Sequence, residues 1–126
     1  MFAETPKRLR LGRATRLPHN RDFTRVRQRG ERLAQGCLIA NWSKLPAGAA
    51  PRLGVVTSRK IGGAVERSRA RRLMRESFRL HQHDFNRAVD LVLVARPSIA
   101  GKMFGEVERD FLRVVREARL EKVNQQ

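Results

Sequence analysis

The segment around residues 67–79 restricts the fold most, because its apolar and basic residues separate onto opposite sides of a helix. At about 100° per residue, one side of that helix gathers Ala70, Leu73, Met74, Ser77 and Phe78. The opposite side carries a stripe of Ser68, Arg72, Arg75 and Arg79, and the flanks carry Arg67, Arg69 and Arg71. We therefore predict a helix over about residues 67–81 that docks on its apolar side and exposes its arginines.

Such a row of arginines is suited to a polyanion, because arginine is always charged and binds phosphate through two parallel hydrogen bonds. The chain has 28 Lys and Arg against 12 Asp and Glu, a net charge of +16. Solubility alone needs a net charge of only about 2 to 8, so the excess favours a nucleic-acid partner. Of the basic residues 23 are arginines. This bias favours geometric contact with phosphate, although a GC-rich genome would produce it too.

The remaining elements follow an α+β pattern. Asn20 is a candidate N-cap for a helix over residues 21–29 that ends at Gly30. Strands are predicted at residues 33–42, 53–57 and 89–95, and the last is apolar enough to be covered on both faces. A final helix is predicted over residues 103–122. The order helix, strand, strand, helix, strand, helix predicts a two-layer α+β sandwich with a small mixed sheet and a parallel crossover.

Length and composition limit the organisation of the chain. Residues 1–126 are predicted to form one basic domain, with an irregular N-terminal segment at 1–19 and a tail at 123–126. The single cysteine, Cys37, excludes a disulfide framework and is predicted to be a small core residue. No apolar stretch approaches a transmembrane span and the N-terminus lacks a secretory signal, so we expect a soluble cytoplasmic protein.

No catalytic site is predicted in the protein itself. Its acidic residues do not form a nuclease-like carboxylate cluster, and no nucleophile lies in a pattern with a base. Three histidines lack metal-ligand spacing, and surface or capping roles are expected for His19, His81 and His83. Any chemistry in which this chain takes part must therefore come from another molecule.

Three segments resemble the protein subunit of bacterial ribonuclease P. Residues 52–65 (RLGVVTSRKIGGAV) resemble the strand and S-K-K-I-G-x-A-V turn of that family, and residues 66–79 (ERSRARRLMRESFR) resemble its R-N-R-x-K-R-L-x-R motif. Residues 21–30 (RDFTRVRQRG) resemble its first helix, x-[DE]-F-x-x-V-[FY]-x-x-G. The match extends in order and spacing over about residues 8 to 120, and its central part is the most specific.

The resemblance implies an RNA-binding protein that docks on a large catalytic RNA, one protein to one RNA. That ribonucleoprotein removes the 5′ leader of precursor tRNA with Mg²⁺ held mainly by the RNA, so no metal site, membrane or DNA partner is expected for the protein. It also implies an extra short strand and a left-handed βαβ crossover. The implied RNA-binding residues are Arg59, Lys60, Arg67, Ser68, Arg69, Arg71, Arg72 and Arg75.

A cleft between the first helix and the sheet would bind the single-stranded leader. The resemblance places Phe23 and Arg27 there, with Asn41 or Trp42 as further candidates, and Phe23 has an alternative role in the core. The chain departs from the family pattern in having Ser68 for the usual Asn, Arg71 for Lys, and Arg27 where a second aromatic is usual. Arginine can stack on bases as a planar cation.

Two other classes of protein share the charge and size of this chain. A ribosomal protein would not be expected to have a leader-binding cleft. A DNA-binding regulator would usually have Asn or Gln on its recognition helix, and residues 67–80 contain neither. Contacts to phosphate and to nucleic-acid shape are therefore expected to dominate.

Overall fold

A computed structural model describes residues 15–46 and 48–120 and has an α+β fold. In chain order its elements are α1 (Asn20–Arg29), β1 (Glu31–Gln35), β2 (Leu38–Lys44), β3 (Arg52–Val56), α2 (Ala64–His81), β4 (Val89–Ala95) and α3 (Phe104–Glu117). Short 3-10 turns occur at Arg59–Ile61 and Pro97–Ile99. The α+β class and the succession of elements are confirmed. The tail predicted at 123–126 and most of the irregular segment predicted at 1–19 lie outside the described residues.

The four strands form one mixed sheet in the order β1-β2-β4-β3. Strand β2 pairs antiparallel with both β1 and β4, whereas β3 pairs parallel with β4. The chain between the two parallel strands contains α2, so the predicted parallel crossover is confirmed. Within the described part of the chain, no helix is long and apolar enough to cross a membrane.

The prediction of one strand over residues 33–42 is wrong, because that segment contains a hairpin. Gly36 has a φ of +57°, a left-handed conformation that glycine adopts without steric cost. The turn folds β1 back on β2, so that Leu33 pairs with Ala40. A side chain at Gly36 would also collide with Asp110, since its Cβ would lie 2.2 Å from Oδ2. Strand β1 is the extra short strand that the family resemblance implies.

Three helix boundaries differ from the prediction. His19 is the N-cap of α1, and Asn20 is the first helical residue. Helix α2 begins at Ala64 rather than 67. Its N-cap is Gly63, whose N–H donates to Glu66 Oε1 at 2.9 Å. Helix α3 ends at Glu117 rather than 122, where the chain turns through Arg119 at a φ of 59°.

Strand β4 separates two hydrophobic clusters, as its apolar sequence predicts. Alternate residues of a strand point to opposite faces, and the odd-numbered residues Leu91 and Leu93 join the main core beneath α2 and α3. On the other face Val92 joins a smaller cluster with Val26 of α1. The sheet and the α2–α3 layer thus form the main sandwich, and α1 lies across the opposite face of the sheet.

Cys37 lies in the main core, and its prediction as a buried residue is confirmed. Burial, followed by interaction with the Asp110 carboxylate, raises the pKa of the Cys37 thiol to about 12. The thiol therefore stays protonated at neutral pH and is a poor nucleophile.

Candidate RNA interface

Helix α2 is oriented by its apolar side, as the spacing of its residues predicts. Ala70, Met74, Ser77 and Phe78 are buried. Leu73 is half-buried and packs against the same core. Ser77 is accommodated because its buried hydroxyl is paired: it donates to the Leu73 carbonyl at 3.0 Å. With this side fixed, the arginine side of α2 faces outward.

Three arginines of α2 are held by neutral oxygens. Arg67 Nη1 donates to the Gly62 carbonyl at 2.8 Å, and Arg69 Nη2 donates to the Lys102 carbonyl at 2.5 Å. Arg71 bonds the hydroxyls of Thr57 at 2.8 Å and Ser68 at 3.1 Å. Carbonyls and hydroxyls orient a guanidinium group without cancelling its charge. The side chains are therefore positioned while their charge stays available to an external anion.

The outer stripe of α2 lines a shallow groove of about 410 Å³, formed by Ser68, Arg72, Arg75, Glu76 and Arg79. Glu76 accepts two hydrogen bonds from Arg79, at 2.8 and 2.6 Å. Arg72 and Arg75 form no ion pair with any described carboxylate. The groove is thus lined by two guanidinium groups without a carboxylate partner among the described residues, Arg72 and Arg75, and by that of Arg79, whose charge is balanced by Glu76.

Arg16 adds a cation that the sequence did not single out. The N-terminal segment runs beside β3. Arg16 forms an isolated parallel β-bridge with Leu53 through the backbone, and the Leu17 N–H donates to the Leu53 carbonyl at 3.0 Å. Burial, and then the nearby charges of Arg16 and Arg71, lower the pKa of Arg75. The only signal for Arg16 in the sequence was the general basic character of the N-terminal segment.

The turn before α2 places Arg59 and Lys60 beside the arginine side of α2. The Ser58 hydroxyl accepts from the Lys60 N–H at 3.3 Å, and buried Ile61 anchors the turn in the core. Gly62 then adopts a φ of +144°, a conformation that favours glycine, and its carbonyl receives Arg67. Arg59 and Lys60 are exposed at the same end of α2 as Arg67.

Two candidates for a leader cleft lie on α1. Phe23 is half-buried over β3, so close that a Cβ at Gly54 would lie 2.4 Å from its ring. Arg27 is exposed one helical turn later, on the same side of α1. The Phe23 ring therefore packs against β3 and is also partly exposed to solvent.

The two candidates on β2 are separated by the sheet. Asn41 pairs with Val92, so its side chain lies on the α1 face, where the residue is 4% exposed. Trp42 points the other way into the main core and is 5% exposed. The expectation that Trp42 lines the same cleft as Phe23 is therefore wrong, because consecutive residues of a strand face opposite sides.

A buried ion cluster lies beside the α1 candidates, and the sequence did not predict it. The Asp90 side chain is 0% exposed and accepts from Arg25 Nη2 at 2.7 Å. Arg52 binds the same carboxylate through Nε at 2.7 Å and Nη2 at 2.8 Å. Burial opposes ionisation, but hydrogen bonds from Arg52 and Arg25 lower the pKa of Asp90 below its usual value.

The fold and the arginine side of α2 define a basic α+β protein of the nucleic-acid-binding class. The family model for ribonuclease P matches residues 11–119, and the chain belongs to the family of bacterial ribonuclease P protein subunits. Ribonuclease P is the endoribonuclease that matures the 5′ ends of tRNA, and its RNA subunit is catalytic. The partner and the substrate that follow from membership are the RNA subunit and precursor tRNA.

Individual relatives agree with this assignment. The chain is 36% identical to the ribonuclease P protein component of Brevibacillus brevis over 110 residues, covering 87% of each chain. It is 35% identical to that of Alkaliphilus metalliredigens, covering 83% of this chain and 94% of the relative. The solved ribonuclease P protein of Thermotoga maritima superposes with a TM-score of 0.70 at 26% identity, covering 87% of this chain and 98% of the other.

Membership of the family implies Mg²⁺ in the holoenzyme, held through the RNA. Among residues 15–46 and 48–120, no three His, Cys, Asp or Glu side chains converge as a metal site. Of the acidic side chains beside the candidate surfaces, Glu76 and Asp90 bind arginines and Glu66 accepts from the Gly63 N–H. The described residues therefore do not fit a magnesium site of the protein's own.

Proposed function

We propose that the arginine side of α2 and the turn before it bind the catalytic RNA, while the cleft beside α1 binds the 5′ leader of precursor tRNA. The proposed RNA contacts are Arg59, Lys60, Arg67, Ser68, Arg69, Arg71, Arg72 and Arg75, joined by Arg16. The proposed leader contacts are Phe23, Arg27 and Asn41. The complex is taken to contain one protein and one RNA and to act in the cytoplasm.

One observation supports the RNA contacts above the others. Within the described part of the chain, the basic residues of this surface form no ion pair with a carboxylate, although twelve acidic residues are present in the sequence. Clustered guanidinium groups repel one another, and binding of RNA phosphates would relieve that repulsion. On α2 only Glu66 and Glu76 lie three or four residues from an arginine, and Glu76 is bound by Arg79.

The leader contacts are supported by the chemistry of the α1 face. An exposed or half-exposed aromatic ring and a planar guanidinium group both stack on unpaired bases. Asn41 offers a side-chain amide on the same face of the sheet, and an amide can donate to and accept from a base edge. Such contacts require single-stranded RNA, because bases within a duplex are not available for stacking.

Reconstitution tests the proposal directly. The protein is added to the catalytic RNA at low magnesium, and cleavage of a 5′-labelled precursor tRNA is followed. We expect accurate 5′ maturation that neither component supports alone under these conditions. Leader binding is tested by comparing the holoenzyme's affinity for precursor tRNA with that for mature tRNA. Equal affinities would contradict the leader cleft, and hydrolysis by the protein without RNA would contradict the whole assignment.

A further inference from the structure

Helix α1 is attached to the sheet by few apolar contacts. Val26 is its one buried residue, and Phe23 adds a half-buried ring. At the C-terminal end of α1, Gly30 approaches β2 so closely that a Cβ would lie 2.4 Å from the Trp42 carbonyl oxygen. Just before the N-terminal end of the helix, the Leu17 N–H donates to the Leu53 carbonyl at 3.0 Å. Between these two ends, the polar contacts of Arg25 help to fix the position of α1.

The shorter of the two polar contacts of Arg25 leads to Asp90. Arg25 donates to the fully buried Asp90 carboxylate at 2.7 Å, and a second, longer contact of 3.5 Å joins it to Asp22. Arg52, which is in register with Asp90 across the β3–β4 ladder, binds the same carboxylate with two hydrogen bonds. One buried carboxylate thus joins α1 to both parallel strands that floor the α1 face.

We propose that Asp90 is a positioning residue for the leader cleft. Through its hydrogen bond with Arg25, Asp90 sets the distance between α1 and the sheet. This inference rests on the proposed leader binding. Asp90 itself is inaccessible and does not touch RNA. Its role is to hold α1, and with it Phe23 and Arg27, at a fixed separation from Asn41.

Geometry and electrostatics make opposite predictions for one substitution. Asp90→Asn removes a negative charge from beneath the cleft, so the electrostatic field alone would tighten binding of the leader phosphates. Loss of the attachment would instead let α1 shift and weaken leader binding. The measured quantity is the Kd for mature tRNA divided by the Kd for precursor tRNA, with holoenzyme assembled on the catalytic RNA. We expect this ratio to fall about fivefold in Asp90→Asn, within the range found for residues that influence a site without touching the ligand.

A matched pair of variants removes equal charge from α1. Arg25→Gln breaks the contact with Asp90, whereas Arg21→Gln changes an exposed arginine on the outward side of the same helix. Arg21 makes no ion pair or side-chain hydrogen bond within the described residues. We expect the ratio to fall in Arg25→Gln and to stay within about twofold of wild type in Arg21→Gln, a margin well below the fivefold effect.

A purely structural role is distinguished by the same ratio. Partial unfolding removes active holoenzyme and weakens binding of both RNAs alike, so the ratio stays constant. All variants are measured below their thermal unfolding transitions, and the Arg25→Gln and Arg21→Gln pair decides the outcome should Asp90→Asn fail to fold. A wild-type ratio of one would contradict leader binding itself. A normal wild-type ratio with equal values for Arg25→Gln and Arg21→Gln, or a raised ratio in Asp90→Asn, would overturn the positioning role alone.

Discussion

Arginines on the two sides of this protein have opposite electrostatic surroundings. Hydrogen bonding to Asp90 raises the pKa of Arg25 and of Arg52. Burial, followed by repulsion from Arg16 and Arg71, lowers the pKa of Arg75. The first pair is stabilised in the charged form by the protein, whereas Arg75 lies in a field that disfavours its charge.

This difference separates arginines that hold the fold from arginines that are available to a ligand. In the sequence all of them look alike, since each is a cation in a chain of net charge +16. The structure distinguishes them by what their guanidinium groups bind. Arg25 and Arg52 bind carboxylate oxygens at the α1 face, whereas carbonyl or hydroxyl oxygens receive Arg67, Arg69 and Arg71 of α2. A surface that binds RNA must keep its charge uncompensated until RNA arrives.

The largest expected effect on stability comes from removing the Asp90 carboxylate, which pairs with Arg25 and Arg52. Asp90→Asn leaves Arg25 and Arg52 without their shared carboxylate, and loss of one partner from a buried pair costs about 3 kcal/mol of unfolding free energy. Arg72→Gln on the exposed stripe should change that free energy by less than about 0.5 kcal/mol. Urea denaturation of the two variants measures the difference, and similar losses would remove the distinction between the two groups.

The same experiment has a defined pH dependence. The folded-state pKa of Asp90 is lowered, so its contribution is complete above the unfolded-state pKa of about 4 and is lost as pH falls through the folded value. The free-energy gap between wild type and Asp90→Asn should therefore be constant between pH 5 and 8, on the order of the full effect. Below about pH 4 it should shrink.

The next largest effect is expected on RNA binding, when arginines of α2 that form no ion pair with a described carboxylate are removed. Replacing Arg67, Arg69 and Arg72 together with Gln should weaken binding of the catalytic RNA about a hundredfold at low magnesium, since charge-assisted hydrogen bonds are lost. The slope of log K against log salt should decrease by about 0.7 to 0.9 for each lost phosphate contact. Glutamine keeps a donor for the carbonyls that Arg67 and Arg69 bind, so the fold should be retained.

A matched control is available on α3. Arg109, Arg113 and Arg116 are exposed and form no ion pair within residues 15–46 and 48–120. Replacing these three with Gln removes the same charge from a different face. We expect an affinity within about threefold of wild type, because only the long-range field changes. Equal losses in the two triple variants would mean that net charge, and not the α2 surface, determines binding.

Close packing at the α1 face gives a smaller effect. Gly54→Ala would place a methyl group 2.4 Å from the Phe23 ring, so the ring must move and stability should fall by about 1 to 2 kcal/mol. Gly105→Ala on α3 is the control, because nothing lies within 4 Å of its added Cβ. Thermal unfolding should show a loss for the first variant only. Unchanged stability in both would indicate that Phe23 is not wedged against β3.

The smallest effect concerns His81, which lies on neither arginine surface and contacts two carboxylates. His81 contacts Glu108 at 2.9 Å and Asp84 at 3.1 Å. Burial opposes its charge, but hydrogen bonds to Glu108 and Asp84 raise the pKa of His81 overall. Its contribution is therefore complete below the unfolded-state pKa of about 6.5 and is lost as pH rises through the folded value. Wild type should exceed His81→Gln by about 0.5 kcal/mol more at pH 5.5 than at pH 8.5 in urea unfolding.

Local patterns predicted most of the fold. The 3.6-residue repeat identified the buried side of α2, and the continuous apolar run identified β4 with its bounds. The hairpin between β1 and β2 was missed because a glycine between two apolar runs does not show whether it bends the strand. That decision depends on Asp110, which is 74 residues away and receives the Cys37 N–H beneath the turn at 3.0 Å.

The candidate site was predictable where it lies on one element and not where it joins several. The arginines of α2 were found because they share a helix face. Asp90, Arg25 and Arg52 lie on three elements, and nothing in their local sequences indicates that they meet. Trp42 was assigned to the wrong side because its strand register, and hence the direction of each side chain, depends on pairing with β4.

The order of strands in the sheet has a consequence for synthesis of the chain. Among the strands described, β3 pairs only with β4, which emerges from the ribosome more than thirty residues later. Two contacts depend on β3 being in place: the hydrogen bond from Arg71 to Thr57, and the β-bridge between Arg16 and Leu53. We expect that in a nascent chain without β4 these arginines have not yet reached their final positions. Specific RNA recognition should therefore begin only after translation has passed Ala95.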